Sequence, residues 1–126
     1  MAHSPPDTPP VVVQKTYEFV LWLLPKVESF PRSYRFTVGE RLTGAGLDLL
    51  TTLVEAAYSS QKKGLLDSAN RKVNAVRYLL RLAKDLKLMT IDSYGFSAEN
   101  LDEIGRSRST VRSLASVLDV PSLKIA

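Results

Sequence analysis

A chain of 126 residues suits one compact domain. It holds no cysteine, which excludes a disulfide framework and any thiolate site and fits a reducing, cytoplasmic setting. Lys and Arg total 17 against 13 Asp and Glu, a net charge of +4, and chains of this sign tend to meet polyanions.

Residues 1–11 (MAHSPPDTPPV) hold four prolines and no Lys or Arg, so they read as an extended or disordered tail and not as a signal peptide. The first predicted helix runs from Val13 to Glu28, with a kink or early stop expected at Pro25. Its stretch Tyr17 to Leu24 is apolar on every side except at Glu18. A helix apolar all round must be buried on more than one side. The second face, with Tyr17, Phe19, Trp22 and Leu23, therefore points to another subunit, or else to cover by the N-terminal tail. The longest apolar run, Phe19 to Leu24, falls far short of a bilayer span of ~20 residues.

After a break at Ser29-Phe30-Pro31, a second helix is predicted from Arg32 to Ser60, with Val38, Leu42, Ala45, Leu49, Leu53 and Ala56 on one face. Gly39, Gly44 and Gly46 each cost it up to ~1 kcal/mol of helix propensity. Either another backbone packs close or the helix kinks. Arg32, Arg35 and Arg41 place positive charge at the start of this helix, against its dipole. An acidic partner surface, or local pairs with Glu28 and Glu40, must favour them.

A third helix is predicted from Lys62 to Ile91, with Leu65, Ala69, Val73, Val76, Leu80 and Ala83 inward. Ser93 to Phe96 reads as a loop, Ser97 as an N-cap, and Ala98 to Leu118 as a fourth helix inward at Leu101, Ile104, Val111, Leu114, Ala115 and Leu118. Pro121 ends the helix and leaves 121–126 as a tail. Four helices with short links predict an all-α fold, an antiparallel up-down four-helix bundle over residues 12–120.

No catalytic constellation is visible. The single histidine, His3, lies in the expected tail, and the acids are scattered, so the chain is expected to be no enzyme and to need no metal or cofactor. The basic residues are better organised. The third helix carries eight of them against Asp67 and Asp85. Lys63, Asn70, Asn74, Arg77, Arg81 and Lys84 project within about 80° of one another, in a stripe almost free of acid. With Arg71 beside them, they can track a phosphate backbone. The alternative is a solvated face. Arg106, Arg108 and Arg112 form a second, less regular basic cluster on the fourth helix.

Several words of the sequence are those of a known family. Tyr17-Glu18 is followed by Leu21-Trp22-Leu23-Leu24-Pro25-Lys26-Val27-Glu28, Phe30-Pro31-Arg32, Arg35-Phe36 and Val38-Gly39-Glu40-Arg41-Leu42. Later come Leu79-Leu80-Arg81-Leu82-Ala83-Lys84-Asp85-Leu86, Tyr94 and Glu103-Ile104-Gly105-Arg106. Over about residues 14–106 the series resembles the accessory variability determinant (Avd) proteins of diversity-generating retroelements. More distantly, it is similar to four-helix bundle proteins encoded in ribosomal RNA intervening sequences. The resemblance implies a basic, barrel-like homopentamer that binds RNA or DNA and the retroelement's reverse transcriptase. Such a protein supports mutagenic copying of a template RNA without being the polymerase. Family members often continue past the last block with a Gly-Gly-Trp-like sequence, where this chain has Ser107-Arg108-Ser109-Thr110. The competing expectation is a structural adaptor that binds only protein.

Overall fold

A computed structural model of the chain describes residues 10–119, with side chains as far as Ser107. Residues 1–9 of the expected N-terminal tail, Val120 and the expected tail 121–126, and the side chains of Arg108, Val111, Arg112, Leu114, Ala115 and Leu118, lie outside the described residues. The described residues form helices and short connections, arranged as a four-helix bundle.

Helix α1 (Val11–Glu28) starts two residues before the expected point, because the Pro10 carbonyl accepts the amides of Val13 and Gln14. Val11, assigned by sequence to the tail, is thus the first helical residue. Pro25 lies inside α1 and does not end it. Burial of Val27 and Phe30 beyond the proline holds the last turn in place. That turn closes when the Ser29 and Phe30 amides donate to the carbonyls of Lys26 and Val27.

Pro31 is extended (φ −57°, ψ 148°), and its carbonyl starts the short helix α2 (Arg32–Tyr34). One π-helical turn, Arg35–Gly39, then leads into α3 (Glu40–Ala57). The predicted single helix from Arg32 is therefore interrupted by a widened turn. The three glycines differ in their surroundings, and the close inter-helix neighbours are side chains of α1 rather than its backbone. A Cβ on Gly39 would lie 2.9 Å from Val27 Cγ1 and 3.3 Å from the Tyr34 carbonyl oxygen, and one on Gly46 would lie 2.8 Å from Leu23 Cδ2. These two glycines let α3 approach α1, while Gly44 faces open space. The contacts Val27 with Gly39 and Leu23 with Gly46 also set α1 and α3 antiparallel.

Lys62 opens α4 (Lys62–Asp85) and closes α3, its ammonium donating to the carbonyls of Ala56 (2.9 Å), Ala57 (3.3 Å) and Ser59 (2.9 Å). Helix α4 ends six residues before the predicted Ile91. Lys87 adopts a left-handed conformation (φ 64°), with the Lys87 amide donating to the Lys84 carbonyl and the Leu88 amide to the Ala83 carbonyl. This is the paired C-terminal hydrogen-bond pattern usually built on glycine.

Helix α5 (Ile91–Asp119) begins at the residue expected to end the previous helix and runs through the loop expected at Ser93 to Phe96. Thr90 is its N-cap, the Thr90 hydroxyl accepting the Ser93 amide at 3.0 Å and Asp92 standing in the first turn. The predicted cap, Ser97, is instead fully buried inside α5, donating to the Tyr94 carbonyl at 2.7 Å.

The core runs the length of the bundle and includes Phe19, Leu23, Phe30, Leu42, Leu49, Leu53, Leu66, Val76, Leu80, Leu101 and Ile104. Leu66 takes the inward place expected for Leu65, which is half-buried, as are Val38 and Ala45. Each long helix packs on its sequence neighbour, and α1 closes the square on α5.

Candidate nucleic-acid and partner interfaces

Helix α4 presents two unlike flanks. The one toward α5 carries Lys63, Asn70, Asn74, Arg77, Arg81 and Lys84, as the helical projection predicts. It is not free of acid. Arg77 pairs with Asp102 of α5 at 2.9 Å, and Lys63 pairs with Asp67 at 3.1 Å. Asp85 receives both Lys84 (3.3 Å) and Arg81 (3.9 Å). Lys84 also stands 4.9 Å from the centre of the Tyr94 ring. The expectation of a one-sign stripe fails for two reasons: Asp67 and Asp85 of α4 itself reach into it, and Asp102 enters from the neighbouring helix, which a wheel drawn for one helix cannot show. Asp92, Glu99, Asp102 and Glu103 give the first four turns of α5 negative charge, with no base before Arg106.

These pairs are solvent-exposed on at least one partner, and ion pairs of that kind contribute ~0–1 kcal/mol. A phosphate can therefore displace the carboxylate without a large penalty. Asn74 is exposed on the same flank, and Arg106 is exposed on α5. Arg71 is exposed on the outer face of α4, turned away from the core between the two flanks, beside Tyr78. Tyr78 is 70% exposed there and had no place in the sequence reading.

The all-round apolar helix is resolved as follows. Phe19 and Leu23 are wholly buried in the bundle's own core, so they do not belong among interface residues. Trp22 is half-buried, 6.1 Å from the Phe19 ring, 5.4 Å from the Phe96 ring and under the Lys26 ammonium at 5.6 Å. Tyr17 (50%) and Leu21 (58%) remain exposed. They lie on the flank of α1 that faces α3, next to half-buried Leu24. The α3 flank toward α1 carries exposed Leu47 and Val54 and half-buried Leu50. The two flanks form one apolar surface over the α1–α3 seam. Only its α1 half was read from sequence, because Leu47 and Val54 fall outside the single inward stripe of α3.

The arginines after α1 find no local acid. Arg32, Arg35 and Arg41 make no ion pair among the described residues, although Glu28 and Glu40 are close in the chain. Of the two expectations for these arginines, local pairing with Glu28 and Glu40 is overturned. Arg35 Nη2 donates to the Phe30 carbonyl at 3.4 Å, and Arg35 Nε is buried with no acceptor. Among the described residues no helix is long and apolar enough to cross a membrane, and no three acids or histidines are grouped to hold a metal ion.

No curated protein matches the chain. A family model described as bAvd-like matches residues 10–112, the whole bundle from the cap of α1 to the middle of α5. With four-fifths of its length under that match, the chain belongs to the bAvd-like family.

Proposed function

We propose that this protein is the non-catalytic accessory subunit of a diversity-generating retroelement, acting in the cytoplasm. It binds template RNA, or the DNA copied from it, and delivers it to the reverse transcriptase. The family match over residues 10–112 carries this reading. The α4 flank of Lys63, Asn74, Arg77, Arg81 and Lys84 supports it, as does exposed Arg106 on α5. Arg71, exposed on the outer face of α4, stands beside that flank as a further phosphate contact.

The assembly is a closed homo-oligomer, a pentamer by resemblance. Two unlike apolar surfaces support this, the α1–α3 seam with Tyr17 and Leu21 and the α4 flank with Tyr78 and Leu82. Two different patches meeting head to tail generate a ring when the rotation closes.

Binding to single-stranded RNA should weaken with salt, log K falling with log salt by about 0.7 per phosphate contact. Replacing Arg77 and Arg81 together by Gln should lower that slope by about 1.4 and weaken binding to all sequences alike. An unchanged slope and affinity would leave the flank a solvated face. A second reading, an adaptor that binds only protein, is favoured by the ion pairs that already occupy Arg77, Arg81 and Lys84. Pull-down of the reverse transcriptase with no RNA binding at any salt would select it.

A further inference from the structure

The corner between α1 and α3 is the most conspicuous unused feature of the molecule. Phe30, one residue before Pro31, is buried and anchors the corner to the core. Six residues on, Phe36 projects outward and is 61% exposed. Arg32 lies four residues before Phe36 and Arg41 five after it, on either side of the π-turn Arg35–Gly39 in the chain. Arg32 and Arg41 are exposed and make no ion pair among the described residues. Glu28 and Glu40 border the corner and pair with neither.

Arg35 is the odd member. Its Nε is buried without an acceptor, and its Nη2 reaches only the Phe30 carbonyl, at 3.4 Å. A guanidinium held this way is poorly satisfied inside and gains by turning to an outside anion. It sits on the first residue of a π-turn, a backbone device found often at functional sites.

We infer that this corner is a docking point for single-stranded RNA, with an unpaired base stacked on Phe36 and neighbouring phosphates held by Arg32, Arg35 and Arg41. An aromatic platform beside cations is the general solution for gripping unpaired strands. Duplex RNA offers no free base face and gains nothing from Phe36. The inference rests on the nucleic-acid reading above, and it places a second contact point about the bundle end, away from the middle of the α4 flank.

The test uses the full chain, fluorescein-labelled oligo(U) and a perfectly paired RNA duplex, with thermal melting and light scattering on every variant. Phe36→Leu should weaken oligo(U) binding about 10-fold and leave duplex binding unchanged. Arg35→Met should weaken oligo(U) binding while the melting temperature stays level or rises, because it removes a buried donor without an acceptor. A structural role for Arg35 would lower the melting temperature instead and would overturn its part. Equal oligo(U) affinity for wild type and Phe36→Leu, with wild type binding RNA, overturns this inference and leaves the proposed function standing. A wild type that binds no RNA overturns both. Polyglutamate that displaces oligo(U) from wild type but not from Arg35→Met makes the corner a carboxylate dock and overturns the RNA assignment. A smaller assembly in either variant makes it a subunit contact and overturns it too.

Discussion

Replacing Gly39 and Gly44 by alanine should change stability in opposite directions, although both lie within the same helical run. In open helix an added methyl gains up to ~1 kcal/mol by restricting the unfolded chain. Gly44 has nothing within 4 Å of its would-be Cβ, so Gly44→Ala should realise most of that gain. Gly39 has Val27 Cγ1 at 2.9 Å, and the Tyr34 carbonyl oxygen at 3.3 Å closes the other side. Val27 is buried and β-branched, so it cannot turn away, and the helices must separate. Overpacking of this kind costs ~1–3 kcal/mol, which leaves Gly39→Ala about 0–2 kcal/mol destabilising after the propensity gain. For a domain near 100 residues each kcal/mol moves the melting temperature by ~4–8 °C. Thermal denaturation by circular dichroism, at one fixed protein concentration because assembly adds its own stabilisation, reads both variants. In the double variant Val27→Ala should recover part of the Gly39→Ala loss, giving a coupling of ~0.5 kcal/mol or more. Equal melting temperatures for Gly39→Ala and Gly44→Ala, with no coupling to Val27, would refute the close approach of α1 and α3.

Thr90→Ala should destabilise by ~1 kcal/mol in chemical denaturation, since Thr90 caps α5, while Ser97→Ala should act through lost packing and not through a cap. Lys87→Gly should raise stability by up to ~1 kcal/mol, because lysine holds a left-handed backbone there that glycine adopts freely. Lys62→Met should cost ~1–2 kcal/mol, as three carbonyls at the end of α3 lose a charged donor, and amide exchange should quicken first over Ala56 to Ser59. Asp102→Asn should leave stability within ~1 kcal/mol and raise RNA affinity, because it releases Arg77 from its partner on α5. An unchanged or lower affinity would argue against Arg77 as a phosphate contact.

What sequence showed and what it hid divide along one physical line. Patterns internal to one helix were legible, and they placed Leu49, Leu53, Val73, Val76, Leu80, Leu101 and Ile104 in the core. Signals that needed a neighbour were not. Asp102 answers Arg77 across a helix boundary, Val27 explains Gly39, and the α3 half of the apolar seam depends on which flank α1 occupies. Ends of helices failed for a local reason. Lys87 does a glycine's work without being glycine, so α4 had no visible stop. Gly95, exposed and unconstrained within α5, gave a turn signal that the Thr90 cap overrides. Thr90 with Asp92 was the available signal for that helix start.

The charge layout gives the proposed function its physical form. Asp102 of α5 and Asp85 of α4 itself pair with the basic flank of α4, so in the free protein the cations of that flank are partly neutralised by their own bundle. Exchange of a carboxylate for a phosphate there replaces one exposed pair by another, so each contact is weak and reversible and affinity grows only with the number of contacts. In the proposed ring, repetition of the flank multiplies those contacts without adding any strong one. The proposed docking corner at Arg32, Arg35 and Arg41 follows a different rule. Its guanidiniums pair with no acid among the described residues, so an anion that reaches them displaces no carboxylate, only the long bond from Arg35 to the Phe30 carbonyl. Under the proposed function, a strand that must be held and yet moved on to a polymerase would be served by this division, with weak exchanging contacts along the bundle and a firmer grip at the proposed corner.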